Sequence, residues 1–196
     1  MTAFAAVTAN LTLLLAALGF GSILVRLFPQ NFSPLDRFAI QLLGGLGLLG
    51  TFLFCIGQVR FSRFALILVL LLGVILALAS SAGVVRDLRA ASVTSNLRVL
   101  PALIVIFVLL ITAIGGLAEP VGDIRMDEIA YHLLGPKVWL RNEVIRPVTD
   151  EAYTAFPAIV EVQYAALMSL AGQRGPGFFA VIELLSILLI AACNRF

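Results

Sequence analysis

The chain has 196 residues, of which 61% are hydrophobic and only 12% charged, with a formal net charge of +2 and a mean hydropathy of +1.09. Globular domains carry about 25% charged and roughly 45–50% apolar residues, so this composition leaves too little polar surface to face water and excludes a soluble domain. The 13 basic residues, 12 arginines and Lys137, are scattered in ones and twos, which excludes the clustered basic patch of a nucleic-acid binder.

The apolar residues come in uncharged runs, and crossing a hydrocarbon core takes about 20 of them. The first run, 4–25, follows an N-terminus (Met1 to Val7) without the positive charge of a secretion signal, so it reads as a retained span. Further spans are predicted at 38–57, 64–85 and 100–117. Runs 157–172 and 177–193 are shorter and only marginally long enough. Only Asn194, Arg195 and Phe196 follow the sixth run, so a continuation of the chain is expected. The fold class is therefore all-α: a multi-pass transmembrane bundle of about six spans, with interfacial helices in one long outward loop. It divides into four spans in 1–117, an extracytoplasmic acidic segment at 118–156, and two further spans in 157–196.

Orientation follows from arginines in the short connections. Arg26 and Arg37, then Arg86, Arg89 and Arg98, then Arg174 fall in connections one, three and five, against Arg60 and Arg63 in connection two. Connections one, three and five are thus expected in the cytoplasm of a cell whose inner (plasma) membrane holds the protein. Residues 118–156 are expected outside it.

Several features read as packing. Gly45-Leu46-Gly47-Leu48-Leu49-Gly50 matches a dinucleotide-binding pattern, but no strand precedes it and it lies inside a span. Small residues there let helices approach closely. Cys55 and Cys193 sit in apolar runs and read as small buried hydrophobes. The glycosylation sequons at Asn10 and Asn31 fall in a span and in a cytoplasmic connection, so neither is usable.

Segment 118–156 is different. It holds seven of the eleven acidic residues, the only histidine, the only tryptophan and the only lysine. Long connections in compact bundles tend to be functional. A short helix is predicted at 126–134, broken at Gly135-Pro136 and resumed through Lys137-Val138-Trp139-Leu140. Helical spacing places Asp127 with Tyr131 and Glu128 with His132, and the composition suits helices lying along the interface with Trp139 at headgroup depth. A solvated surface helix fits the spacing equally well. Asp123, Asp127, Glu128 and His132 offer metal ligands, but with no second histidine or cysteine in reach no cofactor is expected and a divalent metal is the weaker reading. A serine-based triad lacks a nearby serine. Glu161 and Glu183 lie inside predicted spans, where a carboxylate costs on the order of 3 kcal/mol and usually faces a partner or a watery cavity. Glu161, nearer the acidic segment, is the better functional candidate.

Taken together, Asp127-Glu128, Tyr131-His132, Pro136-Lys137, Trp139-Leu140, Phe156-Pro157 and Glu161-Val162-Gln163-Tyr164 resemble the first outward loop of GT-C-type membrane glycosyltransferases. The likeness is to bacterial relatives of the protein mannosyltransferase and aminoarabinose-transferase group, and it covers about residues 119–172. It implies a polyprenyl-phosphate sugar donor and an acceptor hydroxyl. It also implies catalytic carboxylates at Asp127 and Glu128, with Asp127 as the base, and supporting roles for His132, Tyr131, Lys137 and Glu161. The simplest members of that family place the loop after the first span, whereas here four predicted spans precede it. Cations for the donor phosphate are expected from further spans or a partner membrane subunit. The competing readings are a non-catalytic membrane protein, either a transporter fragment or an assembly subunit, and an inactive truncated product.

Overall fold

The computed structural model describes residues 3–27, 32–94, 132–147 and 158–172, together with Pro176 and Ile182. Five helices are formed among them: α1 (Ala3–Leu27), α2 (Pro34–Gly57), α3 (Arg63–Thr94), α4 (Leu134–Asn142) and α5 (Ile159–Ala171). The predicted span at 100–117 lies outside the described residues, as does that at 177–193 apart from Ile182, which is buried.

Three of these helices are long and apolar enough to cross a membrane: Phe4–Leu27, Asp36–Gly57 and Arg63–Gly83. Their outer faces carry large apolar side chains along their whole length, from Phe4 and Leu11 on α1 to Phe64, Leu71, Ile75 and Leu78 on α3. A water-soluble surface rarely shows a continuous apolar face of that extent; lipid is the solvent that suits it. Cys55, expected to be buried, lies on such an outer face of α2.

Helix boundaries follow local chemistry as well as hydropathy. α2 begins four residues before its apolar run because Ser33 caps it. The Ser33 hydroxyl accepts from the Asp36 amide at 3.2 Å and donates to the Asp36 carboxylate at 2.6 Å, with a proline in the first turn, where a missing N–H costs nothing. Ser62 plays the same part for α3, accepting from the Ala65 amide at 3.3 Å. α3 runs nine residues past the predicted 85, to a length of about 48 Å at 1.5 Å per residue. Arg86 and Arg89 therefore stand on a helix that outruns its apolar part, not in a connection.

α1 is the centre of the bundle. Ala6, Ala9, Leu13, Ala16, Ala17 and Phe20 form a buried stripe at spacings of three and four, and α1 packs against α2, α3 and α5. The small side chains matter because backbones meet here. A Cβ on Gly45 would run into the carbonyl of Ala17, and one on Gly19 into the carbonyl of Gly73. Gly50 likewise receives Ile159 of α5, whereas around Gly47 there is open space. Two of the three glycines in the rejected nucleotide-like pattern thus serve close approach, as expected. Polar side chains in these spans bond to helix carbonyls: Asn10 to Ala6 at 2.9 Å, Ser22 to Gly19 at 2.7 Å, and Gln41 across to Leu18 at 3.1 Å. Asn10 is fully buried, so its sequon is indeed out of reach.

α5 has 13 residues and a length of about 20 Å, short of the roughly 30 Å hydrocarbon core. Val162, Gln163, Ala165, Ala166, Leu167 and Ala171 are buried, so it packs into the bundle by this face, while Ile159 and Val160 stay exposed at its start. The helix predicted at 126–134 lies outside the described residues up to 131, and the described helix starts at Leu134, one residue before the Gly135-Pro136 step where the break is expected. Both residues lie in the first turn of α4, where proline is tolerated, and the first helical bond runs from the Lys137 amide to the Leu133 carbonyl at 3.1 Å.

Candidate functional site

α4 and α5 are anchored at two different levels of the bundle. The upper anchor is the α2–α3 turn. There the Phe61 amide donates to the Glu143 carbonyl at 2.6 Å and the Ile145 amide to the Gly57 carbonyl at 2.8 Å. Glu143 ends α4 in the left-handed region, at φ 53°, a conformation that turns the chain back onto the α2–α3 connection. Its carboxylate also stands 3.9 Å from the Arg60 guanidinium, both side chains being exposed. Trp139 locks the arrangement. It is 1% exposed, meets Phe61 edge-on with ring centroids 6.5 Å apart, and donates from Nε1 to the Arg146 carbonyl at 2.8 Å. Its indole N–H finds a backbone partner, so the ring turns inward onto the bundle beside the α2–α3 turn.

The lower anchor lies at Gly50, two turns before Gly57 and about 10 Å along the helix axis. A Cβ on Gly50 would lie 2.8 Å from the Ile159 carbonyl oxygen and 2.9 Å from the Gln163 amide nitrogen. Gln163 Nε2 donates to Leu46 O at 3.3 Å and Ile159 O at 3.1 Å, while its Oε1 accepts nothing among the described residues. Glu161 follows Ile159 by two residues, no more than about 3 Å along α5. It stands at this lower level, within the apolar part of α2.

His132 meets Glu161 there. Its Nδ1 lies 3.0 Å from Glu161 Oε1, and the Tyr164 ring stands edge-on to the imidazole at 6.4 Å and 74°. The nine residues of α4, about 13 Å long, bridge the distance from this pair to the α2–α3 turn. The pair is part-buried, with side-chain exposures of 42% for His132 and 23% for Glu161.

Of the residues singled out in the sequence, His132 and Glu161 are thus brought together. Lys137 lies half-buried on α4, and no hydrogen bond or ion pair joins it to them. Asp127, Glu128 and Tyr131 lie outside the described residues. Among the described residues no group of three or more histidine, cysteine, aspartate or glutamate side chains is placed to hold a metal. Sequence reasoning missed the His132–Glu161 pairing, the Tyr164 contact and the Glu143 anchor. The first had a signal, an acid inside an apolar run needing a partner, but nothing that named the partner.

No protein-family model matches this chain, and neither a curated protein nor a solved structure does.

Proposed function

We propose that this chain is a membrane glycosyltransferase, or the acceptor-binding part of one, moving a sugar from a polyprenyl-phosphate donor to an acceptor hydroxyl at the outer face of the plasma membrane. One observation carries the reading. Two separate pieces of the glycosyltransferase-like pattern, one running from Asp127 through Tyr131-His132 to Leu140 and the other from Glu161 to Tyr164, meet through the 3.0 Å His132–Glu161 contact. Two motifs 29 residues apart that converge on one part-buried pair are what a shared site requires.

In this reading Asp127 takes the proton of the acceptor hydroxyl as its oxygen bonds to the anomeric carbon, and the polyprenyl phosphate leaves with the electrons of the broken bond. Glu128 stands beside it, and a second carboxylate in a low-dielectric setting makes the first a stronger base. His132, Tyr131, Lys137 and Glu161 position the acceptor. Single displacement by one base inverts the sugar carbon.

The test is transfer from a labelled polyprenyl-phosphate sugar in membranes containing the protein together with any partner subunit. Asp127→Asn keeps size and removes the base, so transfer falls by roughly 10²–10⁴-fold, the usual worth of general base catalysis. If Asp127→Asn and Glu128→Gln both retain normal turnover, the reading is wrong. The depth of the His132–Glu161 pair favours one other reading, a carrier that moves protons or ions past an intramembrane acid. Proton uptake by proteoliposomes that depends on Glu161, without any glycosyl transfer, would favour it.

A further inference from the structure

Arginines from two distant stretches of chain come together where α2 gives way to α3. Arg60 lies in that turn and Arg63 opens α3, while Arg141 and Arg146 flank the end of α4. Two backbone hydrogen bonds clamp the stretches to each other, from the Phe61 amide to the Glu143 carbonyl and from the Ile145 amide to the Gly57 carbonyl. Each arginine is within two residues of a clamped one, so the backbone holds all of them at one end of the bundle. All four side chains are exposed. Glu143 is the one acid on residues 57–63 and 141–147, and it stands 3.9 Å from Arg60. Arg63, Arg141 and Arg146 form no ion pair among the described residues. The membrane-length part of α2 ends at Gly57 and that of α3 begins at Arg63, which puts the cations at the edge of the apolar zone. Val59 and Phe64, beside Arg60 and Arg63, present large exposed apolar side chains at the same level.

We propose that this platform binds the phosphate headgroup of an anionic phospholipid in the leaflet that meets the α2–α3 turn, with Val59 and Phe64 against its acyl chains. A guanidinium offers five N–H donors and no acceptor, in a planar fork that matches two phosphate oxygens. Four such groups against one carboxylate leave an excess of three positive charges for the headgroup. A soluble phosphate would meet the same cations but leave the apolar side chains uncovered, so the lipid is the ligand that uses the whole surface. The proposal stands apart from the transferase reading above and needs neither Asp127 nor the His132–Glu161 pair.

Native mass spectrometry of the 196-residue chain released from a mild detergent reads lipid binding directly. Titrated with phosphatidic acid, the wild type should take up one lipid at least about 10-fold more tightly than phosphatidylcholine with the same acyl chains, since each arginine near a lipid surface is worth about fivefold. Equal affinity for the two lipids overturns the proposal. Arg141→Gln combined with Arg146→Gln should weaken phosphatidic acid binding about 25-fold. The fold survives this change, because the Arg146 carbonyl that holds Trp139 is backbone, and unchanged emission of Trp139 verifies it. Arg63→Gln, on α3 and outside α4, should cost about fivefold on its own. Wild-type affinity in these variants overturns the proposal. Arg26→Gln removes an exposed arginine at the opposite end of the bundle, far beyond the screening length, and should leave binding unchanged. A loss there equal to that of Arg63→Gln would mean attraction by overall charge and no platform. Inorganic phosphate should not displace the lipid at equal concentration; displacement would mark a site for a soluble anion and overturn the lipid assignment.

Discussion

Where α1 meets α2 and α3, backbone approaches backbone: Gly45 against Ala17, Gly19 against Gly73, with Ala6, Ala9 and Ala16 filling the seam. Where α4 and α5 meet the same bundle, the contacts are specific and partly polar: the indole of Trp139 on Phe61 and on the Arg146 carbonyl, Gln163 on Leu46, His132 on Glu161. The difference follows from the solvent. Between spans surrounded by lipid, apolar burial distinguishes little, so small residues and close packing select the partner. A short helix that does not reach across the core brings polar groups with it, and each of these must find a partner on the bundle. The first region makes a scaffold, and the second places a titratable pair against it.

Substitutions that affect one region and spare the other break this comparison if it is wrong. The largest effect on stability is expected from Trp139→Ala, about 3–5 kcal/mol for deletion of a buried indole. Hydrogen exchange should then lose protection across 134–147 while 4–27 and 63–83 keep theirs; uniform loss of protection would mean that the two regions are one unit. Gly45→Val comes next, at about 1–3 kcal/mol, because the new side chain meets the Ala17 carbonyl and the backbone cannot step aside cheaply. Gly47→Val, with open space around it, is the matched control. A thermal midpoint lowered equally by both would deny that Gly45 is a contact glycine. The smallest effect belongs to Arg60→Gln. Its partner Glu143 is 3.9 Å away and both side chains are largely exposed, so stability changes by less than about 1 kcal/mol and the difference fades in high salt.

The scaffold was largely legible in the sequence. Three uncharged runs became α1, α2 and α3, and the glycine pattern in 45–50 announced close packing. The boundaries were less so. Ser33-Pro34 and Asp36 carry a capping signal that a search for uncharged runs passes over, and α3 continues through Arg86 to Thr94 because its later residues are helix formers that hydropathy ignores. The second region was legible only as chemistry. Its residues stood out by type, but the contacts that organise it join positions far apart in the chain. His132 was matched in sequence with Glu128, one helical turn away, whereas the described structure adds Glu161, 29 residues on. Trp139 has the composition of an interfacial anchor, and only its bond to the Arg146 carbonyl and its contact with Phe61 show that it faces inward.

Carrying the chain from the His132–Glu161 pair to the α2–α3 turn requires α4 to be packed into the bundle. Trp139 reports on this directly, since the native chain has no other tryptophan. In lipid nanodiscs its emission should be blue-shifted and resist quenching by aqueous iodide and acrylamide and by lipids brominated near the headgroup. Red-shifted emission quenched by iodide, or strong quenching by the headgroup-level bromine, would place the indole at the membrane surface and contradict the packing of α4 described here.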